Sequence, residues 1–201
     1  MLATVPRNHP NQRKRRGVLD SVDDRETPDD VFAPLDDEFH FTLDAAAARH
    51  NAKCKRYYAR GPEPANDNAR RQLTLFPEEF IGDPVALGYD GLMQPWSRGE
   101  VVWCNPPFSN IAPWVAKATF CPATVVMLLP ANRTEQLWWQ EHIEPFRDDN
   151  AILDDDPRTR FLGKRRNFKN RGQAIANRTS KNPPFGIVIV IWDRRRPRCV
   201  S

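Results

Sequence analysis

The stretch EVVWCNPPFSNIAPWVAKATFCPATVVMLLP, residues 100–130, decides the fold. Val101 to Cys104 is a short apolar run that stops at Asn105, and it reads as a buried strand. Beyond Asn110 the residues Trp114, Val115 and Ala118 recur at helical spacing, which predicts a helix. ATVVMLLP, residues 123–130, is almost wholly apolar, as expected of a strand in the middle of a parallel sheet, covered on both faces. Strand, helix and strand in that order predict an α/β fold with a mostly parallel sheet.

The flanking sequence extends the pattern. In ETPDDVFAPLDDEF, Thr27 is a candidate N-cap and Pro28 suits the first helical position. Val31, Phe32, Leu35 and Phe39 then fall on one face of the predicted helix. HFTLD predicts a short strand ending at Asp44, and AAAARHNAKC a helix or loop after it. Residues 58–89 are rich in Pro, Asn and Gly and read as a surface insertion, with a short ordered piece at LTLFPEEF. NRTEQLWWQEHIEPF predicts an amphipathic helix with Leu137, Trp138 and Ile143 facing inward. TRFLG and GIVIVIW supply two later strands, separated by a basic loop. The expected organisation is a disordered basic arm over 1–25, one domain over 26–193, and a basic tail over 194–201.

A chain of 201 residues with 40% hydrophobic content can bury a real core, although 19 prolines imply long polar loops. The apolar runs are too short to cross a bilayer, and the N-terminus lacks the apolar segment of a signal peptide, so a cytoplasmic protein is expected. Cys54, Cys104, Cys121 and Cys199 form no CxxC pair, and the histidines show no metal-ligand spacing; free thiols and no metal are the expectation. The net charge of +4 is unevenly spread. From Arg158 to Trp192 there is no acidic residue, while Arg158, Arg160, Lys164, Arg165, Arg166, Lys169, Arg171, Arg178 and Lys181 are basic. A single basic run is usually a solvated face, but so long a stretch without a carboxylate fits a polyanion surface.

Asn-Pro-Pro-Phe occurs twice, at Asn105–Phe108 and at Asn182–Phe185. In open α/β sheets ligands bind beyond the carboxyl ends of strands. The first copy follows the strand VVWC and meets that rule. The second precedes GIVIVIW, which places it on the opposite rim as a structural loop, since proline is tolerated at strand starts. The residue types of the first copy suit methylation of an exocyclic amine. Such an amine attacks an activated methyl group directly, but its lone pair is delocalised into the ring. The amide oxygen of Asn105 and the carbonyl of Pro106, aimed at the two N–H bonds, would favour a more tetrahedral, more nucleophilic nitrogen. Pro106 and Pro107 hold the backbone so that the carbonyl stays aimed. Phe108 would stack on the base, which must first leave the helix.

Several motifs in register resemble one family. TPDDVFAPLDDEFHFTLDAAAARHNAKCKRYY, DGLMQPW, VVWCNPPFSNIAPWVAKA, VVMLLPANRTEQLWW and RFLGKRRNF, over roughly residues 26–192, are similar to the phage-type DNA N-6-adenine methyltransferases, Dam-like enzymes of phages and prophages. The resemblance implies a Rossmann-like class I methyltransferase fold with helices flanking a mostly parallel sheet. It also implies S-adenosylmethionine as methyl donor, double-stranded DNA as partner, a host-cell cytoplasmic setting, a link to restriction-modification, and a monomer. On this resemblance Asn105, Pro106, Pro107 and Phe108 are catalytic. Thr27, Pro28, Asp44, Ala45, Ala46 and Asp90 contact the cofactor, and Arg158, Arg160, Lys164, Arg165, Arg166, Lys169 and Arg171 are the candidate DNA contacts. Two features depart from the family pattern. AAAARH replaces a glycine-rich loop after Asp44, so alanines must make the close backbone approach. GKRRNF carries extra basic character.

The same residues carry plainer readings. Asp44 can cap a following helix, Asp90 can serve a turn, and Trp103, Trp114, Trp138 and Trp139 can simply pack. Lys117 can face solvent or DNA. The competing functions are an RNA or protein-glutamine N-methyltransferase, and a catalytically idle DNA-binding protein that needs no cofactor pocket.

Overall fold

The computed structural model describes residues 26–48, 51–59, 85–146, 157–161 and 185–195. Seven strands form one sheet in the order β3-β2-β1-β4-β5-β7-β6. They are β1 (Leu43–Ala47), β2 (Arg56–Ala59), β3 (Val85–Tyr89), β4 (Val101–Cys104), β5 (Thr124–Pro130), β6 (Pro157–Phe161) and β7 (Ile187–Trp192). β1 to β5 pair in parallel, whereas β7 runs antiparallel to both β5 and β6. The expected Rossmann-like α/β fold is therefore present, with one reversed strand.

Alternation along the strands sorts the core into two layers. Trp103, Val126, Leu128, Ile189 and Ile191 face α1 (Asp29–Phe39), which contributes Val31, Phe32, Leu35 and Phe39. Val102, Cys104, Val125, Met127, Leu129, Val188 and Val190 face α2 (Ala112–Phe120) and α3 (Leu137–His142). Both faces of β5 are covered, so all seven of its residues are buried. That is why its sequence reads as an unbroken apolar run.

Several boundaries differ from the sequence reading. Pro28, not Thr27, holds the N-cap position of α1, and its carbonyl accepts the amides of Val31 and Phe32 at 3.1 Å. Thr27 does not cap because its hydroxyl is engaged elsewhere, as described below. β1 runs on to Ala47, since Ala45, Ala46 and Ala47 are small enough to lie in the core at 0–3% exposure. The ends of the supposed 58–89 insertion are strands, β2 and β3, paired at the sheet edge; residues 60–84 lie outside the described residues. In α3, Leu137 is 69% exposed whereas Trp138, Trp139 and the following Ile143 are buried. The helix begins only at Leu137, so its inward arc is set by the tryptophan pair and Leu137 falls outside it.

Gly91 ties the β3–β4 connection to the sheet. A Cβ there would lie inside the van der Waals envelope of the Ala45 carbonyl oxygen and 3.2 Å from the Trp114 ring. Gly91→Ala should cost about 1–3 kcal/mol, as overpacking does, in urea unfolding. Gly186→Ala, where the new Cβ would meet only the Ala131 methyl at 3.6 Å, should be near neutral. Equal losses would contradict this packing.

Candidate active site at the carboxyl rim

Chain order reverses between β1 and β4: β2 and β3 lie beyond β1, and β5 lies beyond β4. Connections leaving the carboxyl ends of β1 and β4 therefore diverge and open a crevice, the usual ligand position in such sheets. A small recess occurs there, lined by Thr27, Asp44, Ala46, Asn51, Lys53, Trp103 and Asn105.

Asp44 is only 3% exposed. A buried carboxylate must be hydrogen-bonded, and this one accepts the amides of Ala46 (3.2 Å) and Lys53 (3.1 Å). It caps no helix; it holds the connection after β1 in a tight turn. Asn51 closes that turn by accepting the Ala48 amide at 2.7 Å. The Lys53 ammonium reaches Glu26 (2.9 Å) and Asp29 (2.7 Å), across the recess from its own amide. Next in sequence, Cys54 is buried, and desolvation with Asp44 and Asp36 nearby pushes its thiol far above the ordinary range, leaving it an inert core group.

Asn105 emerges at the end of β4, and its Nδ2 donates to the Thr27 hydroxyl at 3.2 Å. That bond fixes which way the amide points. The Pro107 carbonyl accepts the Asn110 amide at 3.0 Å, whereas no hydrogen bond to the Pro106 carbonyl occurs among the described residues. The Phe108 carbonyl accepts from Arg133 Nη1 at 2.8 Å, which anchors the far end of the motif to the connection after β5.

Phe185, the described end of the second Asn-Pro-Pro-Phe, does not sit on the opposite rim. Because β7 is antiparallel, its first residue, Ile187, pairs with Pro130 at the carboxyl end of β5. The Phe185 ring consequently lies 5.9 Å from Phe108, tilted by 52°. Entering a strand implies the far rim only if that strand is parallel, and this one is reversed. Asn182, Pro183 and Pro184 lie outside the described residues.

The structure gathers some of the expected site residues and scatters others. Thr27, Asp44, Ala46 and Asn105 line the recess. Pro28 is buried at the start of α1, and Ala45 is buried under Gly91. Asp90, at φ 53°, accepts the Leu92 amide at 3.2 Å, so turn chemistry accounts for it, and it does not line the recess. Lys117 is half-buried and turned back on the chain: its ammonium donates to the Leu92 and Gln94 carbonyls at 2.6 Å and lies 5.1 Å from the Trp96 ring. Burial lowers its pKa from the usual lysine value. Arg158 and Arg160 belong to edge strand β6, in register with Ile191 and Ile189; Lys164, Arg165, Arg166, Lys169, Arg171, Arg178 and Lys181 lie outside the described residues. Asn51, Lys53, Arg133 and Phe185 were not singled out from the sequence, and Trp103 was read as packing alone. Among the described residues no His, Cys, Asp or Glu cluster could hold a metal, and no helix is long and apolar enough to cross a membrane.

The family model for DNA N-6-adenine-methyltransferase (Dam) matches residues 17–72 and 85–199. The gap, 73–84, falls within the 58–89 stretch, and the match extends into both the basic arm and the tail. No curated protein matches the chain.

The two bonds to Asp44 generate a test. Asp44→Asn replaces one acceptor oxygen by an NH₂ that confronts a buried N–H. Stability should fall by about 1–3 kcal/mol, the cost of an unsatisfied buried polar group, and the Ala46 and Lys53 amides should exchange with solvent faster. Unchanged stability and exchange would mean that the carboxylate does not organise this turn.

Proposed function

Because the chain belongs to the DNA N-6-adenine-methyltransferase (Dam) family, we propose that it methylates the N6 amine of an adenine extruded from duplex DNA, with S-adenosylmethionine as donor. The observation that carries the reading is the Asn105–Pro106 pair at the switch point, its amide oriented by Thr27 and set on the lip of the recess.

The recess suits the amino-acid end of the donor. An α-amino acid presents an ammonium and a carboxylate together, and the walls hold the Asp44 carboxylate and the Lys53 ammonium. Bound there, the donor supplies a methyl group on a sulfonium, activated towards attack by an amine.

The chain's own residues do the rest. Asn105 Oδ1 and the Pro106 carbonyl accept the two N6 hydrogens and draw the lone pair out of the ring. Their orientation is set before the substrate arrives, which is where electrostatic catalysis gains most. Neither oxygen is basic enough to keep the proton lost by the methylated amine, which passes to solvent. Phe108 and Phe185 offer two ring faces to the extruded base, offsetting an unstacking cost of a few kcal/mol. The basic segment Arg158 to Lys181 contacts DNA phosphates. The enzyme works as a monomer in the cytoplasm of a bacterial host, encoded by a phage or prophage.

Asn105→Ala removes one of the two acceptors. Single-turnover methyl transfer to DNA should fall by about 10²–10³, while donor binding stays within a few-fold of wild type. Wild-type transfer by this variant would refute the assignment. An idle DNA-binding protein is distinguished by wild type showing no affinity for the donor.

Phosphate contact has its own signature. DNA affinity should fall steeply with salt, with a log–log slope of about -0.9 per neutralised phosphate. Neutralising Arg165 and Arg166 together should flatten that slope and weaken all sequences alike. A slope indifferent to both changes would remove this segment from the DNA surface.

A further inference from the structure

Lys53, the cation of the recess, is already engaged before any ligand enters. Its side chain is 9% exposed, yet its ammonium is shared by two carboxylates, Glu26 at 2.9 Å and Asp29 at 2.7 Å. The partners differ in setting. Glu26 is 31% exposed, whereas Asp29 is 69% exposed and reaches in from the first turn of α1. An ion pair with so exposed a partner is worth little and is readily exchanged.

We propose that Lys53 is the receptor for the α-carboxylate of the methyl donor, and that Asp29 holds its ammonium in place until that carboxylate takes over. This deepens the functional reading above and rests on it. Three features of the site support the assignment. Lys53 is the cationic side chain among the recess-lining residues. Its position is fixed at both ends, by its amide on Asp44 and by its ammonium on Glu26, so no side-chain ordering remains to be done when a ligand arrives. One residue thereby spaces the anion that suits an ammonium from the cation that suits a carboxylate. Asp29, once released, keeps a favourable place at the positive end of α1. The exchange therefore trades one exposed ion pair for an enclosed one and strands no charge.

Isothermal titration calorimetry of the whole chain with two ligands separates this role from a structural one. The ligands are S-adenosylmethionine and its decarboxylated analogue, which lacks only the carboxylate. Lys53→Met should weaken the first by about 10–100-fold, the loss of one charged hydrogen bond, and leave the second within about threefold of wild type. Retained binding of the analogue also shows that the variant is folded. Asp29→Asn, which removes the competing charge, should bind S-adenosylmethionine at least as tightly as wild type. Equal weakening of both ligands by Lys53→Met, weakening of neither, or a comparable loss in Asp29→Asn would overturn the proposal. A wild-type chain that binds neither ligand would instead fail the donor reading itself.

Discussion

A carboxylate held at 3% exposure is unstable unless its oxygens are occupied, and in this chain that constraint shapes the site. Asp44 lies in β1, beside β4, with the chain reversing direction across the sheet between them. Its oxygens draw in the amides of Ala46 and Lys53. The connection after β1 must therefore fold back over the strand end instead of running into a helix. That fold brings Lys53 beneath the Glu26–Asp29 segment, and the same segment carries Thr27 to Asn105. One buried charge thus links three parts of the chain that are far apart in sequence.

The sheet was largely legible in the sequence because its strands are apolar on both faces. GIVIVIW and TVVMLLP cannot be satisfied at a surface, and each became a buried strand. The two strands beyond β1 were not legible. β2 and β3 are short, and the chain between them is rich in Pro, Asn and Gly, so 58–89 read as one insertion although its ends pair with the sheet. Strand direction was hidden for a different reason. Apolar content is the same whichever way a strand runs, and only the pairing of Pro130 with Ile187 reveals that β7 is reversed. From that single reversal follows the meeting of Phe108 and Phe185.

At the site, Asn105 was readable because it stands just where an apolar run ends, and Asp44 because a lone carboxylate interrupts an otherwise apolar stretch. Lys53, Asn51 and Arg133 sit in connections with no periodicity, and their partners are distant carboxylates or backbone groups. A lysine's role is decided by what surrounds its ammonium, which composition does not encode. Asp90, in a Gly-flanked stretch that reads as a turn, does lie in one, with a left-handed backbone and a bond to the Leu92 amide.

The two half-buried lysines make the distinction general. Lys117 is satisfied by the Leu92 and Gln94 carbonyls and by the face of Trp96. Those partners are dipoles fixed in one connection and one core ring, so removing them means unfolding that connection. Its charge is a fastener for the segment that Gly91 lays against β1. Lys53 is satisfied by two carboxylates on a separate segment, one of them mostly in water. Replacing that partner by another anion requires no backbone to move. A half-buried cation whose partners are fixed dipoles is committed to the fold, and one whose partner is an exposed carboxylate remains available to a ligand. By that criterion the two sides of β1 divide the labour: the Lys117 side holds the sheet's connections together, and the Lys53 side can respond to what enters the recess.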